Sequence, residues 1–366
     1  MKYALNVPIN PVSFGQVSTC LLREIFYRSI FGSEDDVSLF PIGPVNLDSQ
    51  SLEEDFSAWL NDKVQNNLVT HSRKNPTLKL WHLHGGFESL SEKQVLYSFY
   101  ELDSPTSFEK TVAQDSRAVF SSRYTASIFK DHGVDVGYVP LGFDKYNFKK
   151  LNKTYFSDDR IVFNVLGKLE KRKSHDKIIK YWIKRFGNDK RYFLQCAIHN
   201  QFMRPEQNKQ AQTALTEGKS YFNVQFLDYV PSNAAYNDLL NSGDIVLGLS
   251  GGEGWGLPEF QSVALGKHAV ILNAHAYKDW ATPENSVLVE SSGKTEVYDG
   301  MFFRQGMPFN QGNIFTFDED AFVAGCEKAI ERVEKNRENE EGLKLQEEFT
   351  YAKTLDGLLE ELKKIN

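Results

Sequence analysis

The chain predicts an α/β protein with two domains, each built on a parallel sheet. Three observations carry that expectation: its length of 366 residues, an alternation of short apolar runs with helical stretches, and a polar interruption near residue 150 after which the alternation restarts. A single core stops growing at about 250–300 residues, so a chain of this length divides. Strands that alternate with helices imply parallel pairing with both sheet faces covered.

Tyr3 to Val7 is the first strand, and a Pro/Asn/Ser/Gly loop through Gly15 leads to a helix over Val17–Ile30. Its Leu21, Leu22, Ile25 and Phe26 form one apolar stripe. Strand-type runs follow at Leu78–Leu83, Gln94–Phe99, Ala118–Phe120 and Tyr138–Pro140, with a helix over Ser122–His132 that ends at Gly133 in a C-cap position. Asp144 to Arg160 is polar and ends the first domain. The second alternation runs through strands at Arg160–Leu166, Tyr192–Ile198, Val224–Leu227, Ile245–Leu249 and His268–Leu272. Its helices are expected over Lys173–Phe186, Ala234–Leu240 and Pro258–Leu265. The tail from Asp318 is charged and helical, with Lys335 to Glu348 a solvated stretch. Tyr351–Ile365 carries Leu355, Leu358, Leu359 and Leu362 at helical spacing and must bury that stripe. The expected division is 1–150, 151–345 and a C-terminal helix, 346–366.

Composition narrows the class. Hydrophobic residues make up 41% and charged residues 25%, as in soluble globular proteins. A formal charge of −7 argues against nucleic acid as a partner. Cys20, Cys196 and Cys326 lack metal-type spacing and read as buried thiols of a reducing compartment. No apolar run reaches the roughly 18 residues a membrane span needs. The helix over Val17–Ile30 sets only Arg23 and Arg28 against Glu24, so no strong membrane association is expected. Met1 leads directly into a strand without a signal-type segment, and the cytoplasm is the expected location.

The window with most chemistry is Ile245–Leu272. A buried strand runs into Ser250-Gly251-Gly252-Glu253-Gly254-Trp255-Gly256-Leu257, and Pro258 suits the first position of a helix. Glycines let the backbone approach a ligand closely. The helix N-terminus offers free N–H groups and a positive dipole end, which together form a diphosphate cradle. In open α/β sheets ligands sit at the carboxyl ends of strands, and this loop lies at one. A second window, Gly167-Lys168-Leu169-Glu170-Lys171-Arg172-Lys173, follows the first strand of the second domain.

Glu253-Gly254-Trp255-Gly256-Leu257-Pro258, with Ala264-Leu265-Gly266-Lys267 after it, resembles the signature of family 4 retaining glycosyltransferases. The resemblance implies the GT-B fold: two Rossmann-like domains whose parallel sheets face an inter-domain cleft, with a C-terminal helix crossing back to the first domain. It implies transfer of a sugar from a nucleotide-diphosphate sugar, UDP- or GDP-linked, to a glycan or other hydroxyl acceptor, with retention; no metal or other cofactor is expected, since no residue cluster in the sequence reads as a metal site. Glu253 falls on the acid that addresses the donor sugar. The family's second acid, which holds the ribose, falls on Gln261, a departure. Glu259 and Gln261 flank the apolar face of Phe260, Val263 and Ala264 on opposite sides, so Glu259 is not expected to replace it. Lys168 and Lys173 take the positions of the Arg and Lys that neutralise the leaving diphosphate, and Lys at 168 loses the Arg fork.

The resemblance also places Gly252, Gly254, Trp255, Gly256 and Leu257 at the donor, Tyr229 and Val230 beside the nucleobase, and Gly15 in the glycine loop of the first domain. Where many members have a His, this chain has Tyr100, and Glu101 is the neighbouring candidate. An epimerising or hydrolytic enzyme of the same fold, or a nucleotide-sugar-binding protein without turnover, is the alternative. His82 and His84 would share a strand face but lack a third metal ligand. Asp318-Glu319-Asp320 reads as helix-capping chemistry.

Overall fold

A computed structural model describes residues 1–32 and 36–365. The chain forms two compact units. Unit 1 comprises Met1–Asn147, Gly306–Gln311 and Glu347 onward; unit 2 comprises Phe148–Gln305 and Gly312–Gln346.

Unit 1 contains β1 (Lys2–Val7), α1 (Ser13–Ile30), β2 (Asp36–Pro41), α2 (Glu54–Gln65), α3 (Asn67–Thr70), β3 (Thr77–Leu80), β4 (Gln94–Ser98), α4 (Ser107–Asp115), β5 (Ala118–Phe120), α5 (Arg123–Asp131) and β6 (Gly137–Tyr138). The strands form one parallel sheet in the order β2-β1-β3-β4-β5-β6. Parallel pairing buries both faces, which is why β3, β4 and β5 are buried throughout.

Unit 2 contains β7 (Ile161–Gly167), α6 (His175–Phe186), β8 (Tyr192–Ile198), α7 (Pro205–Leu215), β9 (Val224–Phe226), α8 (Asn233–Ser242), β10 (Ile245–Gly248), α9 (Leu257–Ala264), β11 (His268–Leu272), β12 (Val287–Val289), β13 (Gly293–Glu296), β14 (Asn313–Thr316), α10 (Glu319–Lys335) and α11 (Glu340–Leu343). A short α12 (Leu345–Glu348) precedes α13 (Tyr351–Ile365). The second parallel sheet has the order β12-β11-β10-β7-β8-β9, and β13 pairs antiparallel with β14. Neighbouring strands β7 and β10 run in the same direction, so the loops leaving their carboxyl ends emerge side by side.

The terminal leucine stripe is buried in unit 1, where α13 packs on α1, β3 and β4. Arg28 of α1 holds it through Asp356 at 2.6 Å. This is the return of the C-terminal helix to the first domain that the resemblance implies.

Several local expectations are corrected. The helix expected from Lys173 begins at His175, because Lys171–Lys173 forms a 3-10 turn and Ser174 takes a left-handed conformation at φ 54°. The strand expected over Leu78–Leu83 stops at Leu80, and Leu83–Gly85 is a 3-10 turn. His82 and His84 therefore do not share a strand face; their rings stack with centroids 5.4 Å apart. Among the described residues no group of three His, Cys, Asp or Glu side chains is placed to hold a metal ion. Asp318 occupies the N-cap of α10 but makes no side-chain capping bond. Lys335–Glu348 is interrupted rather than continuous, since Asn336 is extended and Asn339 caps a separate short helix through Gly342 N–H at 3.0 Å. All three cysteines are free and buried. No described helix is long and apolar enough to cross a membrane.

Candidate functional site

The loops after β7 and β10 converge in unit 2. Ser250, Gly251, Gly252, Glu253, Gly254, Trp255 and Gly256 are buried, as are Arg172 and Lys173 of the facing turn. Gly251 donates its N–H to the Arg172 carbonyl at 2.7 Å, and its own carbonyl accepts from Phe315 at 2.8 Å. A Cβ at Gly251 would lie 2.4 Å from the Phe315 oxygen, so only glycine allows this approach. Gly256 stands at φ 84° where the chain turns into α9, and a Cβ there would lie 2.3 Å from the Tyr277 ring. Its carbonyl accepts the Phe260 N–H at 2.9 Å, opening the helix.

Charge alternates along the two loops. Glu170 lies 2.9 Å from Lys168 Nζ and 2.8 Å from Arg172 Nη2. Arg172 Nη1 reaches Glu253 Oε1 at 2.8 Å. Lys173 Nζ stands 2.6 Å from the same Glu253 oxygen and 3.7 Å from Glu259. Burial would raise the Glu253 carboxyl, but Arg172 and then Lys173 overcome it and hold that group well below the usual carboxylate range. Burial would lower the Lys173 ammonium; Glu253 and Glu259 outweigh it and raise that group. Glu259 moves upward, through burial first, with Lys173 opposing and Glu253 adding to the rise.

Two buried histidines brace these loops. His175 Nε2 is 3.2 Å from the Leu166 carbonyl and His275 Nε2 is 2.8 Å from that of Ser250. A carbonyl requires an N–H there, so each ring donates from Nε2. Burial drives both toward the neutral form, lowering His175 to about 3 and His275 to about 4.

The structure thus brings Glu253 and Lys173 into contact, with the loop glycines around them. Lys168 stands apart, paired with Glu170 and 3.9 Å from the Phe302 ring centroid. Trp255 turns into the core against Phe260, and its carbonyl accepts from Trp280 Nε1 at 3.0 Å. Leu257 is half-buried, and Gln261 is buried on α9. Tyr229 is 47% exposed with its ring 5.6 Å from His199, and Val230 is half-buried beside it. Gly15 and Glu101 belong to unit 1. Gly15 is buried in α1, where a Cβ would sit 2.1 Å from the Asn10 carbonyl oxygen. Tyr100 is buried with its hydroxyl 3.3 Å from Glu109. Arg172 and Glu170 are residues of this cluster to which the sequence gives no role, and Glu259, set aside there as a replacement for the second acid, belongs to the cluster through Lys173.

No protein-family model matches the chain, and no curated protein matches it by sequence. Solved structures do match along its whole length. HepE from Anabaena, in complex with UDP-glucose, is 15% identical with a TM-score of 0.66 over 100% of both chains. Trehalose-6-phosphate synthase OtsA is 9% identical with a TM-score of 0.65, again over 100% of both. Sucrose-phosphate synthase from Thermosynechococcus elongatus is 10% identical with a TM-score of 0.63, over 100% of this chain and 94% of that one. The chain has the GT-B fold of these proteins.

Proposed function

We propose that this chain is a glycosyltransferase that moves a sugar from a nucleotide-diphosphate sugar, UDP- or GDP-linked, to a hydroxyl acceptor. The observation that carries the reading is the buried Glu253 carboxylate. It is ion-paired to Lys173 on a glycine loop that opens directly into the N-terminus of α9. The structural neighbour solved with UDP-glucose supports the choice of donor class.

In this reaction the bond from the anomeric carbon to the diphosphate oxygen breaks as the acceptor oxygen bonds to that carbon. The acceptor proton passes to the leaving phosphate. Negative charge grows on the diphosphate, and preorganised positive groups lower the barrier by meeting it. Lys173, with Lys168 farther along the same loop, and the N–H groups opening α9 are the groups proposed to meet it. That supply of positive charge is the ground for proposing metal-independent transfer. Retention, with Glu253 addressing the sugar and Gln261 the ribose, rests on the resemblance of Glu253–Pro258 to retaining enzymes. Tyr229 and Val230 are proposed beside the base, with Gly15 and Glu101 on the acceptor side. A cytoplasmic location is part of the same proposal.

A thermal-shift screen of UDP- and GDP-sugars tests donor binding. A donor at 100 times its dissociation constant should add about 2.7 kcal/mol of stability. Anomeric NMR of the product from a labelled donor, with and without a chelator, tests retention and metal independence. No stabilisation by any nucleotide sugar would overturn the proposal; hydrolysis or epimerisation without transfer would replace it with the alternative reading.

A further inference from the structure

Arg172 lies in the second sequence window but on neither of the positions, Lys168 and Lys173, that the resemblance assigns, yet it joins the two loops with both its backbone and its side chain. Its carbonyl accepts the Gly251 N–H at 2.7 Å and the Ser250 hydroxyl at 3.2 Å. Its Nη1 donates to the Gly252 carbonyl at 2.6 Å and lies 2.8 Å from Glu253 Oε1. Nη2 lies 2.8 Å from Glu170, which also pairs with Lys168. One side chain therefore hydrogen-bonds the peptide just before Glu253 and sets its positive charge against the Glu253 carboxylate. In a trans peptide the N–H points opposite to the C=O, so drawing the Gly252 carbonyl toward Arg172 turns the Glu253 N–H away from it. The planar guanidinium donates to the Gly252 carbonyl while its charge lies against two carboxylates, and a lysine ammonium on a flexible stem does not reproduce that placement.

We infer that Arg172 is a positioning residue: it sets the Glu253 carboxylate and the Gly251–Glu253 backbone, and Glu170 holds Arg172 in that orientation. The inference rests on the donor-site reading for its catalytic consequence but not for its geometry. Lys173 pairs with the Glu253 carboxylate; Arg172 adds a second positive charge beside it and fixes the direction of the peptide that carries it. A misdirected Glu253 would weaken the transition state more than donor binding, because catalysis depends on interactions stronger in the transition state than in the ground state.

The full-length chain and its Arg172→Lys, Arg172→Gln and Glu170→Gln variants provide the test, with two readouts. The first is turnover against donor affinity, using the nucleotide sugar that stabilises the parent protein. Arg172→Lys should lower kcat by about tenfold or more, the scale of one charge-assisted hydrogen bond, while donor Kd changes much less. Glu170→Gln should lower kcat in the same direction by less. The second readout needs no donor: the side-chain carboxyl ¹³C signal of Glu253, assigned by its loss in Glu253→Gln and followed against pH. The groups facing that carboxyl are Arg172, Lys173 and His175 from the β7–α6 segment, Glu259 from α9, and His275 and Tyr277 after β11. Removing only the Arg172 charge should raise its titration midpoint by about 1–3 pH units. If Arg172→Gln fails to fold by circular dichroism, Arg172→Lys decides through its kcat-to-Kd split and, in a protein without turnover, through a changed Glu253 carboxyl shift at neutral pH. A Glu253 signal unchanged in the folded Arg172 variants would overturn the inference, as would parental kcat in Arg172→Lys. A parent that binds no nucleotide sugar would instead refute the function, and the carboxyl signal would still decide on Arg172.

Discussion

Lys173 and Glu253 meet at 2.6 Å with both side chains almost entirely withdrawn from water. A buried pair of this kind gains little over an apolar one of the same volume, but losing one partner is costly because the other charge is stranded.

Glu253→Ala is accordingly expected to abolish transfer and also to destabilise the fold. Arg172 and Lys173 would both remain buried facing a cavity, at a cost of about 3–5 kcal/mol. Glu253→Gln preserves volume and should recover part of the stability without the activity. Denaturant unfolding alongside a transfer assay separates the two losses. Full activity in Glu253→Ala would remove this loop from the chemistry.

The buried histidines give a pH prediction with a definite sign. His175 and His275 have folded pKa values lowered to about 3 and about 4, below the ordinary 6.5 or so. Between those limits the unfolded chain binds protons that the folded chain refuses, so stability rises with pH there and falls on acidification. Each ring contributes a slope of up to about 1.4 kcal/mol per pH unit. Glu253, held low when folded, acts in the same direction below about 4.3. Glu259, raised when folded, opposes it above that value. Urea midpoints measured from pH 7 down to pH 4 should therefore fall, and should fall less steeply in His175→Gln and His275→Gln. A flat profile in the parent protein would show that the rings are not held neutral.

Within unit 1, Glu109 is a carboxylate that ties the Gly306–Gln311 segment to α4. Its Oε1 accepts the Asn310 N–H at 2.8 Å and its Oε2 accepts the Thr106 N–H at 2.9 Å, completing a capping box. Glu109→Ala should cost about 1 kcal/mol through the cap. It should also speed exchange of the Asn310 amide about tenfold or more, since a hydrogen bond to a charged acceptor is lost. Hydrogen exchange resolved at that amide reads the effect directly, and parental protection would show that other contacts hold the segment.

Where the sequence was legible, one residue type in one pattern had one physical outcome. Apolar runs such as Ile245–Gly248 became central strands, and the Leu355–Leu362 stripe found a core because exposing it would be costly. The glycines at 251 and 256 are expected to let the backbone approach a ligand; within the protein Gly251 lies against the Phe315 carbonyl, and Gly256 takes a positive φ against the Tyr277 ring. Lys171-Arg172-Lys173 was not legible in this way. Three adjacent cations look alike in sequence, and a 3-10 turn followed by left-handed Ser174 decides which face inward. Arg172 and Lys173 enter the core, while Lys171 bonds the carbonyls of Glu296 and Tyr298. Treating α9 as having one buried face also failed for Glu259, since Glu259 through Ala264 are all buried and the acid meets Lys173. The assignment of Gly306–Gln311 to unit 1 follows from contacts some 200 positions apart, such as Glu109 with Asn310, which local pattern cannot carry.

Gln261 supplies the sharpest test of the donor assignment. It is buried one helical turn into α9, eight positions beyond Glu253. An amide oxygen there can accept from a ribose hydroxyl, but a carboxylate would do so with charge assistance, which roughly doubles the strength of the bond. Gln261→Glu is nearly isosteric, so packing should survive. The apo protein should lose some stability from an added buried carboxylate. In the presence of donor the balance should reverse, with affinity rising by about fivefold, the worth of roughly 1 kcal/mol more from one hydrogen bond. Calorimetric titration of both proteins with the same nucleotide sugar, and with the corresponding free base as control, makes the comparison. Tighter binding of the nucleotide sugar without tighter binding of the base would place the ribose at this position. An unchanged or weaker affinity would take Gln261 out of the donor site and leave Glu253 and Lys173 to define it from the loop side alone.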